Sequence, residues 1–166
     1  MERVFTFNRI NVKICHINSL PSPAKDIDFE HCSTLERIKV PIKLLVVEND
    51  AKDARMAAET AQSVGFDQVE AKASVESARA YLERALEGSE ALPNGIILDL
   101  DLEYESGYEL LRYWHKTPRL REIPLIVWSI LGQEHAEMCK LFNVTLFVGK
   151  WESAQEFRQA LASLLP

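Results

Sequence analysis

The sequence predicts an α/β fold in which a parallel β-sheet is covered by helices on both faces. From residue 43 onward, a short apolar run and a segment of helical periodicity follow each other five times in succession. The apolar runs are hydrophobic at nearly every position, which is typical of strands buried on both sides. The helical segments carry apolar residues three or four positions apart, so each has one face to bury against the sheet. These observations indicate five successive βα units.

The strands are predicted from the apolar runs. The first is KLLVV, three later runs are similarly apolar, and the second run, QVEA, predicts a weaker strand. Trp114 and Trp128 are interpreted as packing residues rather than recognition residues. The predicted strands are 43–47, 68–71, 95–99, 124–128 and 145–148.

Start and stop signals mark the helices between these strands. The first predicted helix stops at Gly65, and the second is capped by Ser74. Asn143 is placed to end the fourth helix in a left-handed conformation. Ser153 and Glu156 form a capping box that opens the last helix. The four earlier helices are predicted to span 50–64, 74–86, 106–114 and 133–142.

The composition limits the class of protein. A length of 166 residues fits one domain of ordinary size with a real core. The net charge of −6 is uneven, because residues 1–42 carry six Lys and Arg against five Asp and Glu, whereas residues 43–166 carry thirteen against twenty. An acidic body argues against nucleic acid as the main partner, since phosphate binding requires a basic surface. It is compatible with binding a cation.

Cysteine usage and hydropathy predict a compartment. The three cysteines are odd in number and widely spaced, and no secretory signal is recognised. A reduced, cytoplasmic protein is the simplest interpretation. The longest apolar stretches have about eight residues, short of the roughly 20 that a membrane helix needs, so no membrane-spanning segment is predicted.

Residues 1–42 differ from the rest of the chain, because they show short mixed patches and no sustained periodicity. Cys15-His16 and His31-Cys32 form a mirrored pair that suggests zinc, but adjacent residues rarely both reach one metal. We interpret 1–42 as an N-terminal extension, either a flexible arm or the product of a start codon assigned too far upstream. Residues 43–166 are then the folded domain.

Polar residues stand where four of the predicted strands end. Asp99 ends the buried run GIIL, Glu48 and Asn49 follow the first strand, Ser129 closes the fourth, and Lys150 follows the fifth. The carboxyl ends of parallel strands meet at one edge of the sheet, where open α/β folds bind ligands. Acids, a hydroxyl and an amine at this edge could surround one small anion and its metal.

With this ordered spacing, residues 43–166 resemble a response-regulator receiver domain, the phosphoacceptor half of bacterial two-component signalling. In that family an acidic pair follows strand one, the phosphorylated Asp ends strand three, and a Gly opens the next helix. A Ser or Thr ends strand four, a Lys ends strand five, and an aromatic switch residue lies three positions before that Lys. The matching residues are Glu48, Asn49, Asp99, Gly107, Ser129, Lys150 and Phe147.

The resemblance implies a fold and an activity. The fold would be a flavodoxin-like three-layer sandwich whose doubly wound, five-stranded parallel sheet has the order 2-1-3-4-5. Asp99 would accept a phosphoryl group from a histidine kinase or a histidine phosphotransfer protein. The protein would take part in a phosphorelay and would not be an enzyme beyond this self-catalysed transfer.

The resemblance also implies roles for the other site residues. Mg²⁺ would be held by Glu48, Asn49, Asp99 and the backbone carbonyl of Asp101. Lys150 and Ser129 would contact phosphoryl oxygens.

Signal output would follow from a two-state switch. Ser129 would move toward the phosphoryl group and Phe147 would rotate inward, which alters the surface of helix four and strand five. Only sixteen residues follow Lys150, so a single-domain regulator is expected, which acts on a downstream protein through helix four, strand five and helix five. Homodimerisation through the same surface is a further option.

The sequence departs from the family pattern at four positions. Asn49 replaces an Asp that ligates the metal, which removes one negative charge. Ile130 stands where Ala or Gly is preferred, and Glu103 where Pro is common. Trp151 replaces a Pro that follows a cis bond; because a cis bond before a non-proline residue costs about 2.5–4 kcal/mol, a trans peptide is expected.

Three alternatives remain open at the sequence level. A pseudo-receiver would keep the fold and bind a partner without phosphorylation, as Asn49, Ile130 and Trp151 favour. A Toprim-type magnesium nuclease would use Glu48 with Asp99 and Asp101, but it gives no role to Ser129 or Lys150. A haloacid-dehalogenase-like phosphatase shares the Asp-x-Asp motif, but it requires a final acidic motif that does not follow Lys150.

Overall fold

The structure is a computed structural model that describes residues 4–7, 10–13, 40–103, 105–144 and 146–165. The chain divides into two compact units, Met1–Val40 and Pro41–Pro166. In the first unit, strands β1 (Val4–Phe7) and β2 (Ile10–Lys13) pair in antiparallel fashion. The sequence patterns do not predict this pair. Cys15, His16, His31 and Cys32 lie outside the described residues, so the argument against zinc stays a prediction.

The second unit contains the predicted βα alternation. Each strand of its main sheet agrees with its predicted range within one residue at either end. Its strands are β3 (Lys43–Val47), β4 (Gln68–Lys72), β5 (Gly95–Leu98), β6 (Asp101–Leu102), β7 (Glu105–Ser106), β8 (Leu125–Ser129) and β9 (Leu146–Gly149). Its helices are α1 (Ala51–Val64), α2 (Val75–Leu86), α3 (Gly107–Lys116), α4 (Pro118–Arg121), α5 (Gln133–Lys140) and α6 (Ala154–Ser163).

The main sheet is parallel, and its strand order confirms the predicted fold class. The order is β4-β3-β5-β8-β9, which is 2-1-3-4-5 when the five strands are counted along the chain. In the register, Val47 lies opposite Leu98 and Ser129 lies opposite Gly149. The residues that follow these pairs therefore emerge at the same edge of the sheet. Strands β6 and β7 form a separate antiparallel pair, which the sequence patterns do not predict.

The helix signals act where the sequence places them. Asp50 caps α1, because its side chain accepts hydrogen bonds from two backbone N–H groups of the first turn. Gly65 ends that helix at a φ of 124°, a conformation that favours glycine. Asn143 has a φ of 62°, as expected for the left-handed end of α5. Ser153 and Glu156 form the predicted capping box of α6.

Two apolar clusters cover the two faces of the sheet. Successive residues of β3 alternate between them, since Leu44 and Val46 belong to one cluster and Leu45 and Val47 to the other. Helices α1 and α6 complete the first cluster, and α2, α3 and α5 contribute to the second. The unit is therefore the predicted three-layer sandwich. None of the described helices combines the length and the apolar character needed to cross a membrane.

Candidate functional site

Four strand ends bring polar residues together at the carboxyl edge of the sheet. Glu48 follows β3, Asp99 follows β5, Ser129 ends β8, and Lys150 lies just beyond β9. Within the part of the chain that the structure describes, the buried polar or charged residues are Glu48, Asp99 and Ser129. Counted over the whole residue, backbone included, they are 3%, 2% and 0% exposed. Burial of charged groups requires partners, because an unpaired buried charge is costly.

Lys150 is the central partner of this site. Its Nζ lies 2.7 Å from Glu48 Oε2, 2.8 Å from Asp53 Oδ2 and 2.7 Å from Asp99 Oδ2. An ammonium group has three N–H donors, so each donor serves one carboxylate. Three acids from three elements of the fold therefore converge on a single cation.

The Asp99 carboxylate receives hydrogen bonds on both oxygens. Its Oδ1 accepts from the Ser129 hydroxyl at 2.6 Å and from the Asp101 backbone N–H at 3.0 Å. Its Oδ2 accepts from Lys150. These donors hold the carboxylate in one orientation at the end of β5. Asp101 itself is exposed, and the structure shows its N–H, rather than its side chain, in contact with Asp99.

Gly107 allows α3 to begin directly against the backbone of Asp99. A Cβ at position 107 would overlap the Asp99 carbonyl oxygen and lie 2.7 Å from Leu100 Cα. The Gly107 N–H donates to the Leu100 carbonyl at 3.0 Å. A glycine eight residues after Asp99 is therefore required by a close backbone approach.

Burial and hydrogen bonding shift the pKa values of two groups at the site. For Lys150, burial alone lowers the pKa, but the hydrogen bonds to Asp53, Asp99 and Glu48 outweigh it and raise the pKa above the ordinary value. Burial raises the pKa of Glu48, although hydrogen bonds from Lys150 and the Asp50 N–H act in the opposite direction. When all are ionised, three carboxylates face one ammonium group, so the site has an excess of negative charge.

The donor set suits a hard divalent cation. Carboxylate, amide and carbonyl oxygens are the ligands that Mg²⁺ and Mn²⁺ prefer. Of the predicted metal ligands, Glu48 and Asp99 lie together, and Asn49 and Asp101 neighbour them in the chain. Among the described residues, no three His, Cys, Asp or Glu side chains are arranged as a metal-binding group. A metal ion would therefore have to take over at least one carboxylate from Lys150.

Asp53 is the site residue that the sequence analysis missed. It lies in the first turn of α1, with a side-chain exposure of 29%, against 1% for Glu48 and 3% for Asp99. The signal in the sequence is its place in the first turn of the helix that follows Glu48 and Asn49. The sequence alone gives no reason to pair it with Lys150, from which it is separated by 97 positions.

Trp128 lies beside the same ammonium group. Its ring centroid is 5.0 Å from Lys150 Nζ, within the range of a cation–π interaction. The ring also stacks on Phe157, with centroids 4.4 Å apart. Trp128 is therefore a packing residue, as predicted, and it also borders the site.

Two of the four departures from the family pattern, Ile130 and Trp151, directly follow the site residues Ser129 and Lys150 in the chain. Ile130 and Trp151 are large apolar residues with exposures of 64% and 60%. The Trp151 indole lies over Gly149, where an added Cβ would be 2.7 Å from the ring atom Cδ2. The described residues contain no cis peptide bond, so the Lys150–Trp151 bond is trans, as predicted.

Ser129 and Phe147 occupy positions consistent with the predicted switch. Ser129 is buried and donates to Asp99, and its backbone carbonyl accepts from the Lys150 N–H at 2.9 Å. Phe147 is half-buried and packs against the cluster shared by α3 and α5. It lies opposite Val127 in the pairing of β8 with β9. Movement of either residue stays a prediction.

Comparisons with known proteins identify the fold. The sequence matches no protein-family model, and no curated protein is significantly similar to it. The phosphorylated cyanobacterial phytochrome response regulator RcpA is 26% identical, with a TM-score of 0.63 over 75% of this chain and 91% of that one. The Mn²⁺-bound response regulator Rcp1 is 22% identical, with a TM-score of 0.63 and the same coverage. The chemotaxis response regulator CheY4 of Vibrio cholerae is 19% identical, with a TM-score of 0.62 over 76% of this chain and 100% of that one.

These neighbours are response-regulator receiver domains. The second unit has their fold. The recognition of a receiver domain from the sequence is confirmed.

Proposed function

We propose that the receiver domain accepts a phosphoryl group on Asp99 and transmits the signal by protein–protein interaction. The observation that carries this proposal is the convergence of a buried carboxylate, an ammonium group and a hydroxyl at one edge of the sheet. Phosphoryl transfer depends mainly on positioning and charge neutralisation, and these three groups provide both. The structural neighbour RcpA, described as phosphorylated, supports the same chemistry.

The donor would be a phosphohistidine on a histidine kinase or a phosphotransfer protein. A carboxylate oxygen of Asp99 attacks the phosphorus, so an O–P bond forms while the P–N bond breaks. The histidine nitrogen leaves with its electron pair and takes up a proton. Lys150 compensates charge on one phosphoryl oxygen, and Ser129 donates a hydrogen bond to another.

A divalent cation, proposed to be Mg²⁺, would neutralise the approaching phosphoryl group when it is bound. The residues proposed to hold it are Glu48, Asn49, Asp99 and the backbone carbonyl of Asp101. The Mn²⁺-bound form of the structural neighbour Rcp1 supports binding of a divalent metal.

The output would pass through the surface of α5, β9 and α6. The Ser129 hydroxyl would give up its hydrogen bond to Asp99 and donate to the phosphoryl group instead. This movement would free space for Phe147 to turn inward. The downstream partner would be a protein, or a second copy of this chain. We place this signalling in the cytoplasm, because the odd, widely spaced cysteines suit a reducing compartment.

A second candidate function is a pseudo-receiver that binds a partner without phosphorylation. It is favoured by the neutral side chain of Asn49 and by the three carboxylates that already form ion pairs with Lys150. The nuclease alternative is weaker, since it has no role for the central Lys150 or for the hydroxyl of Ser129.

Intact-mass spectrometry after incubation with Mg²⁺ and acetyl phosphate tests the proposal. One phosphoryl group adds about 80 Da, and Asp99→Asn should abolish this gain. Glu59→Gln, an exposed acid on α1, is the matched control and should be modified like the unaltered protein. Absence of an adduct under all conditions would favour the pseudo-receiver.

A further inference from the structure

We infer, on the basis of the proposed function, that Asp53 supplies an acidic oxygen to the divalent cation site and replaces the carboxylate that position 49 lacks. Lys150 would exchange Asp53 for the phosphoryl group while it keeps its bonds to the two buried acids. The ligand is a hard divalent cation such as Mg²⁺ or Mn²⁺.

Asp53 already binds the ammonium group of Lys150, together with Glu48 and Asp99. Its Oδ2 lies 2.8 Å from Lys150 Nζ, almost as close as the oxygens of Glu48 and Asp99 at 2.7 Å. Three acidic oxygens therefore surround a single point, and the cation at that point is an ammonium group. Among the described residues no three acids have metal-binding geometry, so these oxygens would turn from the ammonium group to a metal ion beside it.

The position of Asp53 in α1 explains why it, rather than Asn49, carries the charge. Asp53 lies in the first turn of the helix, whereas Asn49 precedes its capping residue, Asp50. The Asp53 backbone is held by its N–H, which donates to Asp50 Oδ1 at 2.9 Å. With Asp53 in place, the site has three carboxylates despite the neutral side chain at position 49.

Exposure makes Asp53 the acid that can change partners. Its side chain is 29% exposed, whereas those of Glu48 and Asp99 are 1% and 3% exposed. Release of Asp53 by Lys150 leaves no buried charge unpaired, because water reaches that carboxylate. Release of either buried acid would incur the cost of an unpaired charge.

The test measures cation affinity of the unphosphorylated protein, by calorimetric titration with Mg²⁺ and with Mn²⁺. Asp53→Asn should weaken binding about tenfold, because the charge of the ligand set determines the affinity of such sites. The exchange variant Asn49→Asp with Asp53→Asn should restore the affinity to within about threefold, since the number of carboxylates is again three.

Asp50→Asn is the matched control. It removes one negative charge from the same helical turn, and Asn retains the capping acceptor for the Lys52 and Asp53 N–H groups. Affinity should fall by less than about threefold, since an exposed charge outside the site is screened by solvent. Circular dichroism verifies that each variant is folded.

The outcomes separate this inference from the proposed function. If Asp53→Asn binds both cations as the unaltered protein does, or more tightly, Asp53 only anchors Lys150 and the inference is wrong. No detectable binding by the unaltered protein would also overturn it. Phosphorylation by acetyl phosphate is measured separately. If Asp53→Asn leaves the cation affinity unchanged but the unaltered protein still forms the phosphoryl adduct, the inference is wrong and the proposed function is supported.

Discussion

At the scale of single residues, Lys150 decides whether the site can exist. Two of the three carboxylates that it binds are almost fully buried, and among the described residues Lys150 is the cation that pairs with both. Hydrogen bonds to Asp53, Asp99 and Glu48 keep the pKa of Lys150 above its ordinary value despite burial. Its contribution to stability is therefore fully present below pH 10.5 and is lost only as the pH rises through the raised value.

Lys150→Met should destabilise the protein strongly at neutral pH. Loss of one partner of a buried charge network costs about 3–5 kcal/mol of unfolding free energy. Burial already raises the pKa of Glu48, and loss of the ammonium group raises it further. A carboxyl group whose pKa is raised by folding contributes stability that is fully present below its ordinary pKa and is lost as the pH rises. The loss of unfolding free energy in Lys150→Met should therefore shrink as the pH falls toward 4.5, the ordinary pKa of Glu48.

Urea unfolding across this pH range checks the prediction. Lys140→Met is the matched control, because Lys140 forms an exposed ion pair with Glu137. The control should unfold nearly like the unaltered protein at every pH. Equal losses in both variants would contradict the central role of Lys150.

At the scale of elements, the start of α3 shows how one glycine joins a helix to the site. The helix begins at Gly107, whose backbone lies against Asp99 and Leu100. This contact fixes the chain that leaves β5 and returns through the β6–β7 pair. The orientation of Asp99 therefore depends on a residue with no polar side chain.

Gly107→Ala should destabilise the domain, because the added methyl group overlaps the Asp99 carbonyl and the backbone must shift. The expected loss of unfolding free energy is about 3 kcal/mol. Gly88→Ala is the control; it has a φ of 84° and open space around its Cβ position, so its cost of about 1–2 kcal/mol comes from conformation alone. Equal costs in chemical denaturation would show that the close approach is not what requires glycine.

At the scale of the whole molecule, the five-stranded sheet joins two apolar clusters into one cooperative structure. Trp114 lies in the cluster that includes α2 and α3, and Trp128 lies in the cluster with α1 and α6. Neighbouring residues of β3, β5 and β8 point into different clusters. Loss of either cluster therefore exposes a face of the same strands.

The two clusters should consequently unfold together. Variants that keep only Trp114 or only Trp128, with the other two tryptophans replaced by Phe, would report on one face each by fluorescence. Within each variant, unfolding followed by tryptophan fluorescence and unfolding followed by circular dichroism should give the same denaturant midpoint. Separate midpoints within one variant would show that the faces unfold independently.

Much of the fold could be predicted from sequence because its signals are local. Asp50, Gly65, Ser74, Asn143 and Ser153 act on backbone groups a few residues away, and the apolar runs are continuous in the chain. The predicted boundaries are therefore close to the observed ones. The β6–β7 pair gives no such signal, since each of its strands has only two residues.

By itself, the sequence determined which strands end on Glu48, Asp99, Ser129 and Lys150, because parallel strands deliver their carboxyl ends to one edge. Only the tertiary structure decided that Lys150 binds three acids at once, and that Asp53 is one of them. Residues separated by 97 positions meet because α1 follows β3 and Lys150 follows β9 at the same edge of the sheet, not through a periodicity in the chain. Local patterns specify which residue lies at the end of a strand, whereas the partners of its side chain depend on how all the layers pack together.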